Sequence, residues 1–168
     1  MKNQFSQIVM SVAAIVGLSV SLQANAEIIQ AAQKAPTQNE RDAKVASDKQ
    51  TQAMTAAALQ VLNLIDQGKS SEIWEGLSPA IKPLVSRDSF TQHIRSNQSN
   101  FGAASKRASL SAYRSDADGQ SNAPKGTYYS VVFLTNFAKG QGRELVSFRL
   151  DNDQTWRVAG YSLTAASK

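Results

Sequence analysis

The C-terminal quarter of the chain has the apolar pattern of consecutive antiparallel strands. Residues 127–137 are rich in aromatic and β-branched side chains, which suit a pleated surface. Tyr129 and Val131 fall on one parity, and Tyr128 and Val132 fall on the other. Both faces are therefore apolar, as expected of a central strand that is covered on both sides for part of its length.

Three further segments extend this strand into a sheet. Glycines at positions 140 and 142 predict a hairpin, after which residues 143–150 alternate between apolar and polar side chains. A polar turn separates these from residues 155–163, a last strand in which Gly160 indicates a bulge, a bend or a close approach. Alternation over residues 105–114 predicts a first strand. The pattern as a whole predicts a curved antiparallel sheet of about four strands.

The segment before the sheet has helical periodicity. Its apolar residues recur at three- and four-residue steps: Met54, Ala57, Ala58, Val61, Leu62 and Ile65. This stripe predicts a helix that covers one face of the sheet and ends at Gly68. One capping box begins at Thr37 and another at Ser47, and we favour Ser47 as the start of the helix.

Shorter helical segments follow. Residues 71–75 predict a helical turn anchored by Trp74, and Ser78 followed by proline predicts the start of another short element. Pro83 ends that element, because proline interrupts a helix. Residues 86–101 predict a longer helix. Helices that precede one antiparallel sheet place the chain in the α+β class.

The first 26 residues have the features of a secretory signal. A positively charged start and an apolar run lead to Ala24-Asn25-Ala26, a small-x-small cleavage pattern. We therefore expect cleavage after Ala26 and a periplasmic or secreted protein that meets the membrane only during export. We expect residues 27–47 to form a flexible tether or a loose helix, and residues 48–168 to form a single α+β domain.

The composition excludes several kinds of chemistry. The absence of cysteine removes disulfides, thiol nucleophiles and thiolate metal sites. A single histidine cannot form the usual two-histidine metal site. The net charge of +5 is not concentrated in any long run of lysine and arginine, so we do not expect nucleic-acid binding. We expect no metal and no cofactor.

Few side chains are candidates for a functional site. Asp66 and His93 are the candidate general bases, although a surface or cap-like role is the alternative for His93. Trp74, Tyr129 and Tyr161 are the candidates to line a pocket, because each joins an apolar body to a polar tip. The same three residues are also ordinary choices for a core.

One further basic residue has two structural interpretations. We expect Arg157 either to stack on the neighbouring Trp156 or to pair with Glu144 across the last hairpin. Neither role would be catalytic.

Several short motifs resemble those of a known family. They are Leu64-Ile-Asp-Gln-Gly68 with Trp74, Arg107, Pro124-x-Gly126-x-Tyr128, Phe137, Glu144 and Trp156-Arg-Val-Ala-Gly-Tyr161. Through these motifs the chain resembles the bacterial family known as domain of unknown function 4019, from about residue 57 to residue 163. The resemblance implies the cone-like, cystatin-like fold of the nuclear transport factor two-like superfamily, with helices on the concave face of the sheet.

The resemblance implies no single function. The family label carries no activity, whereas the wider superfamily includes isomerases and dehydratases that use a tyrosine, an aspartate or a histidine inside the cone. Folds of this kind also serve as plain binding modules, so the fold alone does not decide the function.

The main expectation is an exported, non-enzymatic module that binds a small apolar ligand, a peptide or another envelope protein. An isomerase- or hydrolase-like enzyme with a pocket between helix and sheet is one alternative, and an envelope immunity or inhibitor protein is another. A hollow, partly polar space between helix and sheet would favour a ligand, and a filled one would favour surface recognition. The pattern leaves the oligomeric state open.

Overall fold

A computed structural model of the 168-residue chain describes residues 37–120 and 123–166. Arg41–Lys168 forms one compact unit, and of the unit Met1–Glu40 only residues 37–40 are described. The predicted signal segment and residues 27–36 lie outside the described part of the chain.

Helices precede a four-stranded sheet. The helices are α1 (Gln38–Asp66), α2 (Ser70–Glu75) and α3 (Arg87–Phe101), with a 3₁₀ turn at Lys82–Leu84. The strands are β1 (Ala104–Ala117), β2 (Gly126–Phe137), β3 (Gly140–Leu150) and β4 (Trp156–Ala165). Each strand pairs antiparallel with the next one along the chain. This order confirms the predicted α+β class with its curved antiparallel sheet.

Helix α1 begins directly after Thr37. The amide of Glu40 donates to Thr37 Oγ1 over 3.3 Å, and the Glu40 carboxylate accepts from the Thr37 amide over 2.6 Å. That backbone bond lowers the pKa of Glu40. The predicted start at Ser47 is wrong, because the earlier of the two capping boxes begins the helix. Residues 38–47, part of the segment expected to be a flexible tether or a loose helix, are helical.

The predicted apolar stripe of α1 packs against the sheet. Within the helix the buried residues are Met54, Ala58, Val61, Leu62 and Ile65. They share one core with Tyr129, Val131, Phe133, Val146 and Phe148 of the sheet and with Ile73, Leu77, Phe90 and Ile94. Burial of each large apolar side chain contributes about 1.5–3 kcal/mol, so this cluster holds the helix on the sheet. None of the described helices has an apolar stretch long enough to cross a lipid bilayer.

Each of the two edge strands contains a bulge. In β1 the extra residues are Ser105, between Ala104 and Lys106, and Leu110, between Ser109 and Ser111. In β4 the extra residue is Ala159, and it precedes Gly160. The irregularity predicted at Gly160 is therefore confirmed. Because a bulge bends and twists its strand, it adds to the curvature of the sheet.

Strand β4 has one further partner on its outer edge. Leu77 forms a single parallel bridge with Val158, and the Ser78 amide donates to the Val158 carbonyl over 2.8 Å. The chain then turns, since the Ile81 amide donates to the Ser78 carbonyl over 2.9 Å. The element that was predicted to start at Ser78 is this turn, followed by the 3₁₀ segment.

Candidate functional site

Five polar side chains from five elements meet near the C-terminal end of α1. They are Asp66 from α1, Arg107 from β1, Thr135 from β2, Glu144 from β3 and Tyr161 from β4. Thr135 and Glu144 have the same strand parity as the core residues Phe133 and Val146, so their side chains point to the face that α1 covers. The alternation that builds the core therefore also builds this polar cluster.

Glu144 is the centre of the cluster. Its side chain has no exposure to solvent. Its Oε2 accepts from Arg107 Nε over 2.7 Å and from Thr135 Oγ1 over 2.5 Å. Its Oε1 accepts from Arg107 Nη2 over 3.3 Å and from the Tyr161 hydroxyl over 3.1 Å. A carboxylate offers about four acceptor positions, and all are occupied here, which lets a charged group lie inside the core.

The other side of the Arg107 guanidinium holds Asp66. Arg107 Nη1 donates to Asp66 Oδ2 over 2.6 Å, and Nη2 donates to Oδ1 over 2.8 Å, as a bidentate pair. The Asp66 side chain is 37% exposed, whereas the Arg107 side chain is 15% exposed. Arg107 therefore links a buried carboxylate to one that faces solvent.

The cluster keeps Arg107 charged and Tyr161 protonated. Burial alone would lower the pKa of Arg107, but its hydrogen bonds to Asp66 and Glu144 outweigh burial and raise that pKa. Burial, reinforced by the negative charge of Glu144, raises the pKa of Tyr161 well above its ordinary value. Tyr161 is therefore a hydrogen-bond donor to Glu144 at neutral pH.

An open cleft of about 420 Å³ lies against the cluster. We call it the acidic cleft, and it is lined by Ile65, Asp66, Gln98, Gly102, Ala103, Ala104, Phe137, Glu144, Tyr161 and Leu163. No lysine or arginine is among these lining residues. The two carboxylates less the one guanidinium of Arg107 leave the cluster with a net charge of −1. The cleft thus joins apolar walls to a negative polar wall.

Gly142 is a point of close packing beside the acidic cleft. A Cβ at this position would lie 2.6 Å from Leu163 Cδ1 and 3.1 Å from a ring atom of Phe101 and of Phe137. The two rings are themselves in contact, with centroids 5.3 Å apart. No side chain fits at position 142 without displacing these neighbours.

A second cavity, of about 290 Å³, lies between the 3₁₀ segment, α3 and β4. We call it the apolar pocket, and it is lined by Leu77, Ile81, Leu84, Val85, Ser89, Phe90, His93, Ala159, Gly160 and Tyr161. Tyr161 lines both cavities. Tyr161 is therefore a residue that the acidic cleft and the apolar pocket share.

A third cavity, of about 350 Å³, adjoins an ionic cluster at the β3–β4 turn. Asp151 accepts from Ser78 Oγ over 2.6 Å, from Arg149 Nη1 over 2.6 Å and from Arg157 Nη1 over 3.1 Å. Burial alone would raise the pKa of Asp151, but these bonds lower it. Arg157 also holds Asp153, through bonds of 2.8 and 2.7 Å. Two arginines balance two aspartates, so we assign this cluster a structural role.

The structure does not bring the three candidate pocket residues together. Tyr161 lines two cavities, as described above. The Trp74 indole donates to the Val85 carbonyl over 3.3 Å, and Trp74 does not line any of the three cavities. Tyr129 is only 6% exposed, and its hydroxyl lies 2.8 Å from that of Thr51. Tyr129 is a core residue, which is the alternative role expected for it.

The two candidate bases lie in different cavities. Asp66 lines the acidic cleft with Tyr161, and both of its oxygens accept from Arg107. His93 is exposed at the apolar pocket, where its Nε2 lies 3.2 Å from Asn97 Nδ2. Across residues 37–120 and 123–166, no group of three histidine, aspartate or glutamate side chains is placed to hold a metal ion.

Sequence reasoning missed Arg107, Thr135 and Glu144 as site residues. Of the two roles expected for Arg157, pairing with Glu144 is wrong, because Leu163 lies opposite Glu144 in the β3–β4 register and Arg157 bonds to Asp151 and Asp153. A usable signal was present in β3. Glu144 takes a position where strand alternation calls for a core residue, and a charge at such a position requires a buried partner.

Four members of the cluster, Asp66, Arg107, Glu144 and Tyr161, also belong to the motifs that carry the family resemblance. Residues 57–161 match the model of a family described as "Protein of unknown function (DUF4019)". The chain belongs to this family. The DUF4019 match contains the whole cluster and confirms the predicted family. No curated protein and no solved structure matches the chain, so the superfamily fold stays a prediction.

Proposed function

We propose that this protein is an exported, non-enzymatic binding module that holds its ligand in the acidic cleft. One observation carries the proposal. Glu144 is fully buried and accepts four hydrogen bonds, while Asp66, on the same guanidinium, is 37% exposed at the cleft. The polar wall is therefore held in place by the buried Glu144 carboxylate, while its Asp66 carboxylate faces the solvent in the cleft.

A wall of this kind suits binding because it is ordered before a ligand arrives. Arg107 is held by two carboxylates and Tyr161 by Glu144, so neither side chain has to be immobilised when a ligand binds. Each Asp66 oxygen accepts one bond from Arg107 and has a further acceptor position. The volume of about 420 Å³ falls within the usual range of ligand pockets.

An isomerase-like enzyme is the second candidate. It is favoured by the presence of Asp66 and Tyr161, a carboxylate and a phenol, in one cleft. A base in this cleft would have to compete with the bidentate bond from Arg107, and the Tyr161 hydroxyl would have to leave Glu144. Binding requires neither bond to break, and we therefore prefer it.

The binding proposal is tested by thermal denaturation in the presence of an envelope extract. A ligand at 100 times its Kd stabilises the folded protein by about 2.7 kcal/mol, which raises the Tm. We expect this rise for the wild type and for the control D48N, which removes a carboxylate of α1 outside the cleft. We expect a smaller rise for D66N. Equal rises in D66N and D48N, or no rise in the wild type, would contradict the proposal.

Export is supported by the signal pattern of residues 1–26. The test is to express the full chain in a Gram-negative host, to fractionate the cells and to measure the mass of the product. We expect a periplasmic protein with the mass of residues 27–168. A cytosolic protein that retains residues 1–26 would contradict this part of the proposal.

A further inference from the structure

The acidic cleft and the apolar pocket are both lined by residues of α3 and β4, and we call the surface that carries these two cavities the furrow. Helix α3 contributes Phe90 and His93 to the apolar pocket and Gln98 to the acidic cleft. Strand β4 contributes residues 159–161 to the pocket, and Tyr161 and Leu163 to the cleft. A strand rises about 3.3 Å per residue, so the two cavities are about 7–13 Å apart along β4.

The wall of this furrow is an edge strand that already accepts another segment of chain. β4 is the last strand in the sheet order, and Leu77 pairs with Val158 on its outer side. The bridge ends where the chain turns at Ser78-Pro79, because the Ala80 amide, the next one that could donate to β4, bonds to Ser78 Oγ instead. The furrow continues along β4 from that point. An extended chain can therefore pair with the backbone of β4, as peptides pair with other sheet edges.

The negative charge of the acidic cleft favours a cationic side chain of the ligand at that end of the furrow. The acidic cleft is lined by the exposed carboxylate of Asp66 and by no lysine or arginine, the Glu144 carboxylate is buried behind it, and the cluster has a net charge of −1. Asp66 is the exposed acceptor. A cationic side chain complements this end of the furrow, whereas the lining of the pocket at the other end is mostly apolar.

On the assumption that the proposed binding function is correct, we propose that the ligand is an extended peptide along the outer edge of β4. Its basic side chain occupies the acidic cleft, and an apolar side chain two or four residues away, on the same face of the extended peptide, occupies the apolar pocket. Tyr161 lies between the two side chains of the peptide.

The experiment measures the binding of labelled synthetic peptides to the purified protein by fluorescence anisotropy. The probe is a capped serine–alanine heptapeptide that carries one leucine and one lysine, with spacings of two, three and four residues. In one matched peptide glutamate replaces the lysine, and in another alternate backbone amides are N-methylated. Hexylammonium is the small-molecule competitor. We expect the glutamate and N-methylated peptides to bind at least about tenfold more weakly than the best lysine peptide, because they lack a charged hydrogen bond or the ladder bonds.

Variants of the protein test which peptide side chain occupies the acidic cleft and which occupies the apolar pocket. We expect D66N to weaken the lysine peptide about tenfold and not to weaken the glutamate peptide, since the variant removes a negative charge from the cleft. S89F places a ring at the apolar pocket, and the Ser89 amide that bonds to the Ser86 hydroxyl is kept. We expect S89F to weaken the leucine–lysine peptide and to have little effect on a peptide without leucine. D48N is the control and should bind like the wild type.

Three results would overturn the peptide inference, and each leads to a different conclusion about the acidic cleft. If hexylammonium competes as strongly as the lysine peptide and N-methylation has no effect, the ligand is a small cationic amphiphile and the cleft remains a binding site. If glutamate and lysine peptides bind equally, the charge argument is wrong. If no probe binds while the envelope extract still raises the Tm of the wild type but not that of D66N, the peptide inference fails and the proposed function stands.

Discussion

Replacing Arg107 with methionine tests the account of the buried cluster most directly. The change leaves the Glu144 carboxylate with no exposure to solvent and with only Thr135 and Tyr161 as donors. Removing one partner of a buried ion pair costs about 3–5 kcal/mol, because the remaining charge is uncompensated. For a domain of this size each kcal/mol lowers the Tm by about 3–5 °C. We therefore expect R107M to lower the Tm by about 9–25 °C.

Replacing Asp66, the exposed partner of Arg107, should lower the stability much less than replacing Arg107 itself. Asp66 is 37% exposed, so water can solvate its carboxylate, and D66N should cost less than about 1 kcal/mol. R114M is the matched control, since Arg114 is an exposed arginine on the same strand. It should change the stability by less than about 0.5 kcal/mol. Urea denaturation followed by circular dichroism measures all three variants.

Adding E144Q to R107M tests whether the uncompensated charge of Glu144 causes the loss of stability in R107M. In R107M with E144Q the buried group is a neutral amide whose oxygen can still accept from Thr135 or Tyr161. We expect this double variant to recover a large part of the stability that R107M loses. The reasoning would be refuted if E144Q caused a further loss in the R107M background, or if R107M cost no more than R114M.

Three further predictions follow from other contacts. G142A should lower stability by about 1–3 kcal/mol in calorimetry, since its Cβ would lie 2.6 Å from Leu163 Cδ1; an unchanged Tm would contradict the packing. Because the pKa of Tyr161 is raised in the folded protein, Tyr161 ionises at a lower pH in the unfolded chain. Its contribution to the free energy of unfolding is therefore complete below about pH 10 and is lost as the pH rises further. Y161F should lose less stability above about pH 10 than the wild type. The lowered pKa of Asp151 contributes stability above about pH 4 that is lost as the pH falls through the folded value. D151N should be less stable at pH 7 and should have a flatter acid transition, and an unchanged acid transition would contradict this assignment.

Residue patterning was sufficient for the sheet and for the core face of α1. The stripe of Met54, Val61 and Ile65 and the alternation around Val131 and Phe148 reflect burial directly, and these residues form one core. Patterning of this kind succeeds because the same contacts that stabilise the fold select the apolar residues.

The start of α1 could not be read from the same signal. Residues 41–49 are exposed throughout, so no apolar stripe marks them as helical. Two capping boxes, at Thr37 and Ser47, satisfied the local rule equally well. The choice between them depends on helix propensity along an exposed segment, which hydrophobic periodicity does not report.

The candidate site was only partly predictable because its residues are distant in sequence. Asp66 and Tyr161 were named individually, but they are connected only through Arg107, which bonds to Asp66 and Glu144, and through Glu144, which accepts from Tyr161. Arg107 and Glu144 lie on strands whose register the pattern alone does not determine. Arg157 was the nearer partner for Glu144 along the chain. The observed register instead leaves Arg157 to the aspartates of the β3–β4 turn.

The strand order has a consequence for how the chain reaches its folded state. Every ladder joins neighbours along the chain, and two residues connect β2 to β3 while five connect β3 to β4. Short closures cost little chain entropy, and a topology of local contacts folds quickly. The chain also contains no cysteine, so no oxidation step has to accompany folding. A polypeptide delivered unfolded across a membrane, as proposed here, could assemble this sheet hairpin by hairpin without a disulfide-forming enzyme.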